Sequence, residues 1–141
     1  MENLQIFNTL NSKKEVFTPI DNDHIKIYAC GPTVYNFAHI GNARMAVVFD
    51  TFVRTLRVIY PKVTYVSNIT DIDDKIIDAA KEQNVEISEI TEKYTQIYNE
   101  DMSMLNVIKP DIQPKATEYI PEMIALIEDL IGKEFAYEKD K

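Results

Sequence analysis

The sequence predicts an α/β fold, a parallel sheet half-domain with flanking helices. Residues 24–29 and 63–69 read as strands, and the stretch between them carries one amphipathic helix. Two of the three glycines, Gly31 and Gly41, bracket the loop that joins the first strand to that helix. Strand, loop, helix and strand in this order form a βαβ unit, which implies a parallel pair and a right-handed crossover.

Each element has its own signal. Residues 24–29 are bounded by Asp21-Asn22-Asp23 and Cys30-Gly31-Pro32, and Ile25 and Ile27 alternate with polar neighbours. Residues 41–60 place Met45, Val48, Phe49, Phe52, Val53 and Leu56 at three- and four-residue spacing, one apolar stripe that reads as core; Pro61 stops the helix. Residues 63–69 are β-branched and aromatic. Beyond them the pattern predicts a short helix over 73–82 and a longer one over 88–105. Ser88 is the expected cap of the longer helix, and Ile90, Tyr94, Ile97 and Met104 its apolar side. Pro110 and Pro114 mark a connector. A third helix is expected over 117–131, with Pro121 in its first turn and Gly132 suited to its C′ position. Phe135-Ala136-Tyr137 reads as the start of a strand with no partner strand in view, and the charged stretch 134–141 as a solvated end.

Composition narrows the function classes. With 141 residues, 45% hydrophobic and 27% charged, the chain fits one globular domain. A net charge of −8 argues against a surface that grips a nucleic-acid backbone by itself, because such binding rests on Lys and Arg neutralising phosphates. A small anion pocket built from local donors stays open. The single cysteine, Cys30, cannot form an internal disulfide. The opening Met1-Glu2-Asn3-Leu4 lacks the pattern of a signal peptide, and no apolar run reaches the length of a membrane span, so no membrane partner and a reduced, cytoplasmic setting are the expectation.

The chemistry concentrates in residues 30–42, Cys30-Gly31-Pro32-Thr33-Val34-Tyr35-Asn36-Phe37-Ala38-His39-Ile40-Gly41-Asn42. This loop follows the carboxyl end of the first strand, where open α/β sheets bind ligands, and it opens a helix whose unpaired N–H groups and dipole suit a phosphate. His39 and Asn42 are three apart and share a face of the first turn. Gly41 removes a side chain between them and lets a flat ring lie on the backbone.

His39-Ile40-Gly41-Asn42 resembles the HIGH motif of class I aminoacyl-tRNA synthetases. Cys30-Gly31-Pro32-Thr33-Val34-Tyr35 and Asn68-Ile69-Thr70-Asp71-Ile72-Asp73-Asp74-Lys75 are similar to the cysteinyl-tRNA synthetase subgroup, as are Ile6-Phe7-Asn8-Thr9-Leu10 and the stretch around Pro110 and Thr117. The resemblance covers essentially all 141 residues; a lone HxGH is a weak signal, and the combination is a strong one. One departure is Asn42, which stands where the motif ends in His; it can still donate to a phosphate oxygen but carries no charge.

The resemblance implies a Rossmann-like, HIGH-type nucleotide-binding fold. It implies that residues 1–141 are the N-terminal part of a catalytic domain, with the connective segment, KMSKS loop and anticodon-binding domain lying outside them. The implied activity is ATP-dependent activation of L-cysteine to cysteinyl adenylate and transfer to tRNA(Cys), with Mg²⁺ accompanying ATP and a monomeric parent enzyme. His39 and Asn42 would stabilise the α-phosphate and Gly41 would accept adenine, while Gly31, Thr33 and Thr70 would line the amino-acid pocket. Cys30 would be one ligand of a Zn²⁺ that holds the substrate thiolate, the other ligands lying further along; soft sulfur suits zinc, and a metal–sulfur bond separates Cys from Ser better than pocket shape.

Plainer roles stand beside these. Cys30 alone would be a small buried hydrophobe, His39 a polar residue at a helix start, and the threonines local hydrogen-bonding groups. Asp73 and Asp74 read as helix-start acids, Asp71 as a candidate for facing the site, and His24 has no role. Other functions that share parts of the pattern are a paralogous cysteine ligase of mycothiol synthesis, an HxGH nucleotidylyltransferase, and a non-catalytic nucleotide-binding fragment. The nucleotidylyltransferase reading leaves Cys30 and the 68–75 motif unexplained.

Overall fold

A computed structural model describes residues 4–139. An antiparallel hairpin comes first, β1 (Gln5–Asn8) and β2 (Lys13–Val16), paired from Gln5 opposite Val16 to Asn8 opposite Lys13. The expected βαβ unit follows. β3 (Ile25–Ala29) lies parallel to β4 (Val63–Ser67) in the register Ile25 opposite Val63, and α1 (Ile40–Ile59) connects them. Then come α2 (Asp74–Gln83), α3 (Ile87–Met104), a 3-10 turn over Ala116–Tyr119 and α4 (Ile120–Gly132). The chain is thus α/β, with a parallel sheet and flanking helices.

Local chemistry sets most boundaries. Tyr60 turns extended because Pro61 follows it, while its N–H still closes on the Leu56 carbonyl. Asp73 starts α2 by accepting from the Lys75 N–H, and Asn84 ends it in the left-handed region, which Asn tolerates. The stripe on α1 buries Val53 and Leu56 completely, whereas Val48 is exposed and Ala46 takes its expected place inside. Val53 packs with Ala29 and Tyr65 against Phe49, joining α1 to both parallel strands. A second cluster gathers Val34, Ala46, Ile69, Ile76, Ile90 and Tyr94, so the loop before α1 is tied into the same core as α2 and α3.

Four expectations are corrected. Ser88 does not cap α3: the helix begins earlier, with Glu86 at the N-cap and its N–H donating to Glu89 Oε1 at 3.3 Å. The buried side of α3 is Ile90, Thr91, Tyr94, Tyr98 and Met102, and Met104, its last residue, is exposed. Gly132 is the last residue of α4 rather than its C′ residue. The left-handed turn falls at Glu134 (φ 62°), whose N–H closes on the Ile131 carbonyl. Residues 135–137 form no strand, because no chain among the described residues offers them a ladder.

The Pro-marked connector does more than join helices. The N–H groups of Tyr65, Ser67 and Ile69 donate to Asp111 Oδ2, the Ile112 carbonyl and the Pro114 carbonyl, so residues 111–116 run parallel along the outer edge of β4. Pro114 is tolerated there because only its carbonyl is used. Asp50 of α1 binds the same region. It accepts from the Ile108 N–H at 2.8 Å and from Arg54 Nε at 2.9 Å, and Arg54 also donates to the Asn106 carbonyl.

Candidate functional site

The site is built where β3 and β4 end. Cys30 follows the last residue of β3 and is exposed. Gly31 comes next, and its backbone presses on the other strand's exit: its N–H donates to Asn68 Oδ1 at 2.9 Å, and a Cβ placed there would lie 1.6 Å from the Asn68 carbonyl oxygen. No side chain fits that space, which explains this glycine without any ligand. Thr33 and Thr70 face each other as an isolated parallel bridge, closed by Val34 N–H to the Thr70 carbonyl and Thr70 N–H to the Pro32 carbonyl. The Thr70 hydroxyl accepts from Asn68 Nδ2 at 3.2 Å. Asn68 therefore buckles the two strand exits together, a function the sequence pattern alone did not assign to it.

His39 is the N-cap of α1, an unusual choice, since Ser, Thr, Asp and Asn lead at this position. Its Nδ1 accepts from the Gly41 N–H at 3.0 Å, and its own N–H donates to Asn42 Oδ1 at 3.1 Å. In the neutral ring this bond assigns the hydrogen to Nε2, and it leaves the Asn42 amide NH₂ free to donate outward. Gly41 explains itself in this geometry. A Cβ there would meet His39 Cε1 at 2.6 Å and Nδ1 at 2.8 Å, so the absence of a side chain at Gly41 makes room for the His39 imidazole.

The expectation that free backbone N–H groups would receive a phosphate changes accordingly. Gly41 N–H goes to the His39 ring, and the Asn42 and Ala43 N–H groups go to the His39 carbonyl at 2.9 and 3.3 Å. The donors left at this turn are mainly side chains.

Thr33, His39 and Asn42 share the lining of a cavity of about 190 Å³ with Asn36, Lys75 and Tyr94. Cys30, Gly31, Gly41 and Thr70 are not part of that lining, so the residues singled out from the sequence fall into two adjoining groups. The loop over the cavity is held on two sides, by Phe37 edge-on to Tyr94 at 5.4 Å and by Lys75 Nζ over the Tyr35 ring at 5.4 Å. Burial, with a smaller contribution from Tyr65, pushes the Tyr98 phenol at the cavity wall above its ordinary range, so it stays a neutral O–H.

Asp71 does not face this cavity. It is buried and accepts from the Thr117 N–H at 3.0 Å and the Thr117 hydroxyl at 2.6 Å, which fastens the 3-10 turn to the end of β4. Asp73 caps α2, as its position suggests, and His24 bonds Thr64 Oγ1 at 2.8 Å, away from the site. The described residues contain no group of three His, Cys, Asp or Glu side chains able to hold a metal ion. Cys30 thus offers one sulfur at a strand end and belongs to no such group, and the described residues do not by themselves fit zinc.

The chain is similar to known proteins over most of its length. The family model described as tRNA synthetases class I (C) catalytic domain matches residues 16–141. The chain is 56% identical over 138 residues to a cysteine–tRNA ligase of Wolbachia pipientis subsp. Culex pipiens (strain wPip), covering 98% of this chain and 30% of that protein. It is 59% identical over 134 residues to one of Parvibaculum lavamentivorans (95% and 29%) and 55% identical over 135 residues to one of Ehrlichia ruminantium strain Gardel (96% and 30%). The chain spans about 30% of the length of the curated relatives it matches.

Proposed function

The chain belongs to the class I (C) tRNA synthetase catalytic-domain family, and from that premise we propose that it carries the HIGH-side half of the ATP site of a cysteine–tRNA ligase. In the proposed reaction a carboxylate oxygen of L-cysteine attacks the α-phosphorus of Mg²⁺-bound ATP. Pyrophosphate leaves, and the mixed anhydride passes its cysteinyl group to the 3′ end of tRNA(Cys), releasing AMP. The chain's own contribution is donation: the cap bonds leave His39 Nε2 and the Asn42 amide NH₂ unengaged, and these stabilise the negative charge that builds on the phosphate oxygens. Adenine lies along the exposed backbone at Gly41, and Gly31, Thr33 and Thr70 border the amino-acid side of the site. Cys30 would contribute one sulfur ligand to a zinc ion, which would recognise the substrate thiolate. The reading implies a monomeric cytoplasmic enzyme; no helix among the described residues is long and apolar enough to cross a membrane.

The observation that carries this reading is the His39 cap. A helix start at the carboxyl end of a parallel strand uses an imidazole where a hydroxyl or carboxylate would cap better, and a glycine two residues on exists to seat that ring. The test is an NMR titration with ATP and with pyrophosphate. The His39 ring resonances and the amides of residues 40–43 should move first. Shifts confined to other regions would overturn the assignment.

A further inference from the structure

We propose that Lys75 is a phosphate-binding residue of this same site and supplies the positive charge that Asn42 lacks; the inference rests on the ATP-site reading above. Lys75 is the second residue of α2, placed by its N–H bond to Asp73 Oδ1 at 2.9 Å, and its side chain reaches the cavity that His39 and Asn42 line. The chain has 23 acidic against 15 basic residues, yet no Asp or Glu lines that cavity, and Lys75 is its one Lys or Arg. Lys75 shares with most lysines among the described residues the lack of an ion pair, three others (Lys13, Lys81 and Lys133) sitting against carboxylates. Its Nζ rests instead over the Tyr35 ring, a contact that holds an ammonium without neutralising it.

The need for such a charge follows from the cap. The amides of residues 41–43 are occupied within the turn, and the two outward donors, the His39 ring and the Asn42 amide, are neutral in this hydrogen-bonding arrangement. A triphosphate at this turn therefore meets neutral donors on the α1 side and an uncommitted ammonium on the α2 side. Charge-assisted bonds are about twice as strong as neutral ones, so Lys75 carries a large share of affinity for the phosphate chain. A lysine suits this role as a point charge on a flexible stem that leaves the tyrosine face when an anion arrives.

The experiment is a pyrophosphate titration of the whole 141-residue chain, labelled for NMR, as wild type, Lys75→Gln and Lys75→Arg. In the wild type the His39 ring and the Lys75 Cε and Nζ resonances should move together. Lys75→Gln should raise Kd roughly tenfold or more, the loss expected for one bond to a charged group, while Lys75→Arg stays within about threefold because the charge remains. If His39 responds and Lys75→Gln binds as tightly as wild type, or both variants lose affinity equally, the Lys75 proposal is overturned and the ATP-site reading stands. If His39 does not respond in the wild type, the ATP-site reading itself fails. Should Lys75→Gln not fold, the wild-type Lys75 resonances decide alone: no movement at saturating pyrophosphate overturns the proposal.

Discussion

Replacing Gly41 with alanine separates the fold from the site. The added Cβ would lie 2.6 Å from His39 Cε1 and 2.8 Å from Nδ1, and its three nearest neighbours all belong to the His39 ring. The imidazole is a side chain and can rotate away, so the backbone stays and the ring leaves. The cap bond from the Gly41 N–H is then lost, at about 1 kcal/mol. Alanine returns up to about 1 kcal/mol through its better helix propensity, so the two terms nearly cancel. Thermal melting should shift by a few degrees at most. Phosphate binding should fall far more, because the displaced ring no longer aims Nε2: a lost bond to a charged acceptor is worth about 1.5–3 kcal/mol, roughly a tenfold or larger rise in Kd. The assay pairs a melting curve with a pyrophosphate titration followed through the His39 ring. Wild-type affinity with unchanged His39 resonances would refute the seating argument, and so would a large loss of stability with affinity intact.

Gly31→Ala should behave oppositely, since its Cβ meets the Asn68 backbone oxygen at 1.6 Å and backbone cannot rotate aside; a loss of about 3 kcal/mol is expected in denaturant melts. Asp71→Ala leaves the Thr117 N–H and hydroxyl without their acceptor and should cost about 1–3 kcal/mol, with faster hydrogen exchange over residues 116–119 as the local readout. For Asp50, burial pushes the carboxyl up, but the Arg54 and Ile108 N–H bonds and the Arg54 charge outweigh it and hold it below the usual carboxylate range. Its stabilising contribution is therefore present above that range and lost as pH falls through the lowered folded value, so Asp50→Asn should flatten the acid limb of a stability–pH curve. Metal-replete chain should retain no zinc after dialysis, because one thiolate supplies too few donors; one equivalent retained per chain would contradict the donor count.

The βαβ unit was legible because its signals are local. β-branched runs, a three-and-four apolar spacing ending at Pro61, and glycines at both ends of one loop each act within a few residues. The expected positions of His39 and Asn42 in the first turn of α1, and of Cys30 at the end of β3, match the structure for the same reason. What escaped depends on distant partners. The N-terminal hairpin escaped because four-residue strands carry little periodicity and its apolar Phe7 and Val16, 65% and 45% exposed, mark no core face. Residues 111–116 read as a connector from their prolines, and only the open edge of β4 makes them strand-like. Asp71 looked like a site acid, and its partner Thr117 lies 46 residues away.

The site shows the same division between local and distant. A helix start is usually an anion site because its first N–H groups are unpaired. Here the cap takes those of residues 41–43, and it does so with the residue that the proposed reaction needs. That arrangement fixes the ring: the Gly41 N–H holds Nδ1, and a glycine at that position leaves room for the imidazole. Donation then passes from backbone to side chains, whose positions are set by other elements: Asn42 by the His39 N–H, and Lys75 by Asp73 at the start of α2. Because α2 hangs from the end of β4 and α1 from the end of β3, the parallel pairing that places Thr33 against Thr70 also brings the two sources of donors to one cavity. A substitution that loosened the strand exits, such as at Asn68, should therefore weaken phosphate binding without touching any donor.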